Sequence, residues 1–231
     1  MIPAIISDLK TYSDLKRIQA SKTMFPTSME VLGVRNPDMK ILVKKWWNEL
    51  KELSIAEFLQ LSKELVDTYI FECNQIAFEL LWKNTKVRNS LTFNDLEYLG
   101  KNMDNWVTTD SFSVMLSGWA WRRSQITDND ILAWLNGDNR WWRRAAVVST
   151  VGMNLRSRGG TGDTERTLMI CEKVIHDRDD MIVKALSWAL RELSKSDKPA
   201  VEKFMEKYEA NLAGRVRKEV HTKLETGRKN G

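Results

Sequence analysis

The sequence holds two cysteines, Cys73 and Cys171, two histidines, His176 and His221, four prolines and eleven glycines in 231 residues. Two cysteines exclude a disulfide framework and a cysteine-rich zinc site. They make a reduced, cytoplasmic compartment the expectation. The two histidines stand far apart in the chain, which leaves little room for a histidine metal site or a Ser-His-Asp triad. No apolar run approaches the roughly 18 residues of a membrane span. The opening stretch 1–10 meets an acid at Asp8 and lacks the layout of a signal peptide. So few breakers imply long regular elements.

Hydrophobic residues make up 42% and charged residues 29% of the chain, ordinary globular values that exclude disorder as the main state. The length suffices for a buried core without staples, and 1–231 reads as a single domain. Ten tryptophans and a net charge of +5 are the unusual features. Together they point to an anionic partner met by aromatic surfaces.

Apolar spacing is helical almost throughout, and no stretch alternates as a strand does. Ile2, Ile5, Ile6, Leu9, Leu15 and Ile18 form one stripe, predicting a helix over 2–18. Asn36 caps a helix with Pro37 at its first position, followed by helices over 39–53 and, capped by Ser54, 55–69. Further helices are expected over 92–99, 105–121, 127–135, 141–151, 164–176, 180–195, 200–208 and 214–225. The stretch 158–163 is the one flexible loop. The arginines near it, Arg156 and Arg158, read either as a phosphate clamp or as a solvated surface.

Four stretches share a register. They open at Asn74, Asp110, Arg144 and Lys184, which lie 36, 34 and 40 residues apart, and a fifth begins near Arg217. The spacing is that of HEAT-type helix pairs. The expected fold is therefore all-α, a right-handed α-solenoid of HEAT-like helical repeats, with the four openings forming a polar ladder along a groove.

Trp106 and Asp110 are i and i+4 on one helix face. Trp188 stands one turn beyond Lys184, and Arg144 supplies a cation. A carboxylate with indole faces in a basic groove suits a planar cationic ligand, because the π faces attract a delocalised cation and the carboxylate stabilises adjacent positive charge. Each residue also has a plainer reading. Tryptophans at helical spacing are usually core, Thr108-Thr109-Asp110 reads as a helix cap, and only one of Arg143 and Arg144 can point inward.

In order along the chain, Val31-Leu32-Gly33-Val34-Arg35-Asn36-Pro37, Asn105-Trp106-Val107-Thr108-Thr109-Asp110, Trp141-Trp142-Arg143-Arg144-Ala145-Ala146-Val147 and Ile182-Val183-Lys184-Ala185-Leu186-Ser187-Trp188-Ala189-Leu190-Arg191-Glu192 resemble the motifs of the HEAT-like-repeat DNA glycosylases, the AlkD-like DNA alkylation repair enzymes. The last match is the most specific. Asn105 and Val107 depart from a tryptophan and an acid of that family's catalytic segment, and 158–163 is extra.

The resemblance implies a DNA repair glycosylase that excises cationic N3- and N7-alkylated purines from duplex DNA without metal or cofactor. By position, Asp110 is the catalytic carboxylate, which stabilises the oxocarbenium ion and orients water. Trp106 and Trp188 are the aromatic walls. Arg144, Lys184, Arg143, Arg217 and Lys218 are the DNA-binding cations. The implied protein is a monomer of the bacterial cytoplasm, associated with the nucleoid when bound to DNA and with no membrane partner. The alternative is a non-catalytic HEAT-repeat protein that binds duplex or branched DNA. A protein-interaction scaffold would have no need of the tryptophan–aspartate set.

Overall fold

A computed structural model of the chain describes residues 1–228. Those residues are helical, with no strand among them; a single β-bridge joins Glu30 to Ile70. They divide into two compact units, Met1–Leu116 and a second beginning at Ser117.

The first unit contains α1 (Ile2–Thr11), α2 (Leu15–Met24), α3 (Asn36–Leu50), α4 (Ile55–Asp67), α5 (Phe71–Lys83), α6 (Thr85–Arg88), α7 (Phe93–Gly100) and α8 (Trp106–Phe112). Helix α5 is the centre of its core and packs on α3, α4 and α8. The apolar side chains Phe58, Leu65, Ile76, Phe78, Leu81 and Phe112 are fully enclosed.

The second unit contains α9 (Gly118–Arg122), α10 (Asp128–Asn136), α11 (Arg140–Asn154), α12 (Thr164–Lys173), α13 (Asp180–Leu193), α14 (Lys198–Tyr208) and α15 (Gly214–Thr226). Here α9, α11, α13 and α15 pack successively side by side, and α10, α12 and α14 lie against them as a second layer. This is the helix-pair arrangement that the repeat spacing predicts.

Local chemistry sets the helix starts. Ser54 with Glu57, Thr92 with Asp95 and Thr127 with Asp130 form capping boxes at α4, α7 and α10. Asn105, Asn139 and Asp179 cap α8, α11 and α13 through their side-chain oxygens.

Three departures from the sequence expectation have a clear local cause. The stripe over 2–18 is two helices, because Asp14 caps α2 and the chain before it is drawn aside: Ser13 Oγ donates to the Leu32 carbonyl at 2.7 Å. At α3, Arg35 rather than Asn36 is the cap residue, with no side-chain bond. The helix expected over 105–121 passes from α8 into a π-helical turn, Ser113–Ser117. The Oγ of Ser113 donates to the Thr109 carbonyl at 2.7 Å, and that of Thr109 to the Asn105 carbonyl at 2.8 Å. Such back-bonding loosens a regular helix.

The loop before α3 is held by a buried acid. Glu72 of α5, 1% exposed, accepts the backbone N–H groups of Leu32 at 2.9 Å, Gly33 at 2.7 Å and Val34 at 3.2 Å. Burial pushes its carboxyl pKa up, and the three donors oppose that. Gly33 sits at φ +78°, where a Cβ would come within 2.5 Å of the Asp14 carbonyl oxygen.

Both cysteines are wholly buried. Burial pushes the Cys73 thiol up to about 11 and raises Cys171 further. Trp46, Trp121 and Trp134 are core residues, and Trp47, Trp82 and Trp119 are half-buried packing residues.

Candidate functional site

Trp106 and Asp110 occupy the first and fifth positions of α8. The cap of this helix is Asn105, which accepts the Thr108 N–H at 3.0 Å, while Thr108 and Thr109 are buried inside the helix. The alternative reading of Thr108-Thr109-Asp110 as a cap is thereby removed. Asn105 is 1% exposed, so the residue that departs from the family's tryptophan has become the helix cap.

Trp106 is 38% exposed, and its Nε1 donates to the Met24 carbonyl at 2.9 Å. This bond anchors the edge of the indole, which stays partly open to solvent. Asp110, one turn further, is half-buried.

The segment that receives the indole is itself clamped. Asp104 accepts Thr27 Oγ1 at 2.5 Å, the Ser28 N–H at 2.6 Å, Ser28 Oγ at 2.5 Å and Asn105 Nδ2 at 3.0 Å. Tyr69, at φ +57°, adds a 2.6 Å contact from its hydroxyl to Ser28 Oγ. Phe25 stacks on Phe71 with ring centroids 4.7 Å apart. Sequence reasoning missed Asp104, Thr27, Ser28 and Met24. No local pattern announces them, since Thr27 and Asp104 meet across 77 positions.

Burial acts to raise the Asp104 pKa, but its hydrogen bonds outweigh that and hold it below the usual carboxylate range. Its stabilising contribution is therefore present at neutral pH and fades as pH falls below about 4, through the folded-state pKa. The acid limb of the stability curve, followed by circular dichroism, should be shallower in Asp104→Asn than in wild type. An unchanged limb would remove Asp104 from the clamp.

In the second unit Arg144, Lys184 and Lys218 are the fifth residues of α11, α13 and α15. The expected register is present, with Lys218 as its last member. Their exposures differ. Arg144 is 5% exposed and donates Nη1 to the Met181 carbonyl, tying α11 to the first turn of α13. It is a charge beneath the surface, not one presented by the ladder. Asn74 in the first unit is likewise fully buried.

Lys184 is half-buried and pairs with Asp180 at 2.5 Å, and Trp188 stands half-buried one turn later. Arg143 lies 3.4 Å from Asp177 and 3.9 Å from Asp179, with its Nε buried and unpartnered. Arg217 and Lys218 are exposed. Among the described residues no three His, Cys, Asp or Glu side chains group as metal ligands, and no helix is long and apolar enough to cross a membrane.

The fold is thus that of an α-helical repeat protein carrying an anchored tryptophan–aspartate pair on one unit and a register of cations on the other. The family profile of the DNA alkylation repair enzymes matches residues 5–224, and the chain belongs to that family. DNA repair is the role this membership gives it. Among solved structures, one described as a predicted DNA alkylation repair enzyme from Enterococcus faecalis is similar, with a TM-score of 0.76 and 16% identity over 94% of this chain and 98% of that one. At that identity the likeness is one of fold. No curated protein matches the chain in sequence.

Proposed function

We propose that the chain is a DNA glycosylase that hydrolyses the N-glycosidic bond of cationic N3- and N7-alkylated purines in duplex DNA. The observation that carries this reading is the Trp106–Asp110 pair on successive turns of α8, with the indole anchored at its Nε1 edge and partly exposed.

An alkylated purine already bears positive charge and leaves as a neutral base, so no general acid is needed. The deoxyribose gains oxocarbenium character as the bond breaks. Asp110 stabilises that charge and orients water at C1′. Trp106 favours the cationic base over the neutral one through its π face. Trp188 is the aromatic assigned to the substrate on the second unit. The ligand is double-stranded DNA, bound by a monomer without metal or cofactor, and the protein works in the bacterial cytoplasm.

Arg217 and Lys218 are the exposed phosphate contacts of α15 in this reading, Lys184 and Arg143 exchange acid partners for phosphate, and Arg144 contributes its field. Phosphate contacts position the duplex without reading sequence.

The test is incubation of wild type with duplex containing 7-methylguanine, with released base measured by chromatography. Release is expected. Duplex binding without release would make the chain a non-catalytic DNA-binding member of its family. Separately, Arg217→Ala should weaken binding to all duplex sequences alike and lower the log–log salt slope by about 0.9, one phosphate's worth. An unchanged slope in a binding titration would place Arg217 off the DNA.

A further inference from the structure

The cations of the second unit fall into two groups. Several are neutralised: Arg140 and Arg143 by Asp179 and Asp177, Lys184 and Arg215 by Asp180, Arg166 by Asp128, Arg191 by Glu219. Among the described residues, Arg122, Arg123 and Arg156 make no ion pair, and neither do the exposed Arg217 and Lys218 of α15.

Arg122 closes α9, with its guanidinium 4.7 Å from the Trp119 ring centroid and its Nη2 donating to the Arg158 carbonyl at 3.4 Å. Its Nη1 is buried and has no hydrogen-bond partner. Arg123 reaches over the same indole at 6.0 Å and is exposed. Arg156, also exposed, lies two residues before the carbonyl that Arg122 holds. Gly159 lies against the guanidinium: a Cβ there would stand 3.5 Å from Nη2, and its φ is +72°.

The nearby acids are already engaged. Asp128 takes Trp121 Nε1 at 2.7 Å and Arg166 at 2.8 Å, and Asp163 caps α12 and meets Arg166 at 3.6 Å. Burial, then the neighbouring charge of Arg123, lowers the Arg122 pKa, and no carboxylate offsets either effect.

Like charges gathered without counter-charge are held at a cost that a bound anion relieves. An unsatisfied buried donor adds to that cost. Arginine forks match phosphate oxygens in geometry. We infer that Arg122 and Arg123, paired over Trp119, form with Arg156, which stands just before the 158–162 loop, a second phosphate site that takes the backbone of duplex DNA. The site stands at the end of α11 opposite Arg143. A helix of that length spans roughly 20 Å at 1.5 Å per residue, so one phosphate cannot serve both ends and the contact is an additional one. The identification of the anion as DNA backbone rests on the DNA-directed reading of the protein.

The test uses undamaged duplex, so that it does not depend on catalysis. Arg123→Gln/Arg156→Gln changes two exposed side chains and leaves the core untouched. Its log–log salt slope for duplex binding should be smaller than wild type by about 0.9, one phosphate's worth. Arg122→Gln alone, checked for folding by circular dichroism, should lower the slope by the same amount, because it removes the same contact. An unchanged slope in the double variant overturns the site. So does saturable binding of inorganic phosphate, at constant ionic strength, that the double variant loses while its duplex slope stays at the wild-type value: the site would then hold a small phosphate and not DNA. Absence of base release by wild type would remove the proposed glycosylase and leave the slope comparison intact.

Discussion

Asp110→Asn is expected to release 7-methylguanine from duplex DNA about 10²–10³ times more slowly than wild type, the usual cost of removing one preorganised electrostatic partner. Asparagine keeps the shape and can still hydrogen-bond, but it places no negative charge beside the developing oxocarbenium ion. DNA affinity should hold or rise, because a carboxylate that repels phosphate has been removed. The opposed directions separate this outcome from general damage to the fold. The backbone of α8 should persist, since its cap is Asn105 and its buried turn is made by Thr108 and Thr109. Single-turnover base release and duplex titration on the same preparation check both parts. Excision at the wild-type rate would make Asp110 a structural residue and end the proposed mechanism.

The largest expected loss of stability is that of Glu72→Ala. It strands three backbone N–H groups, those of Leu32, Gly33 and Val34, which now share one buried carboxylate. Each unsatisfied buried donor costs about 1–3 kcal/mol, so a loss of about 3 kcal/mol or more is expected. That is a large part of a typical domain's stability. Glu72→Gln should fall between, at about 1–3 kcal/mol, because one acceptor oxygen becomes a donor facing donors. Urea unfolding reads both as a lower midpoint. A midpoint equal to wild type in Glu72→Ala would mean that the loop 32–34 does not depend on the carboxylate.

These two residues illustrate what could be read from the sequence. The place of Asp110 on α8, one turn after Trp106, was legible because its information is local: a tryptophan four residues earlier, helical spacing around it, and a match to a family segment. The repeat was legible for the same reason, and α8, α11 and α13 begin where the spacing places them. Glu72 was illegible, since an acid in an otherwise apolar helix gives no sign of three amides some forty positions away. The Asp104 clamp on Thr27 and Ser28 was hidden by the same separation. Exposure was the other gap. Arg144 and Asn74 keep the register of the ladder, but their side chains are buried, and periodicity reports which face a residue occupies without reporting what covers that face. The break at Asp14 was available in principle: aspartate is a common cap, and here it outweighs a continuous apolar stripe.

The two enclosed thiols have a consequence for a protein of this family. Methylating chemicals attack the softest nucleophile they can reach, and in proteins that is the cysteine thiolate. Cys73 and Cys171 are sealed from solvent, and burial keeps both in the protonated, unreactive form at neutral pH. During the chemical exposure that creates damaged bases, this protein presents no thiolate to the reagent, and so its sulfhydryls survive the conditions under which its service is required.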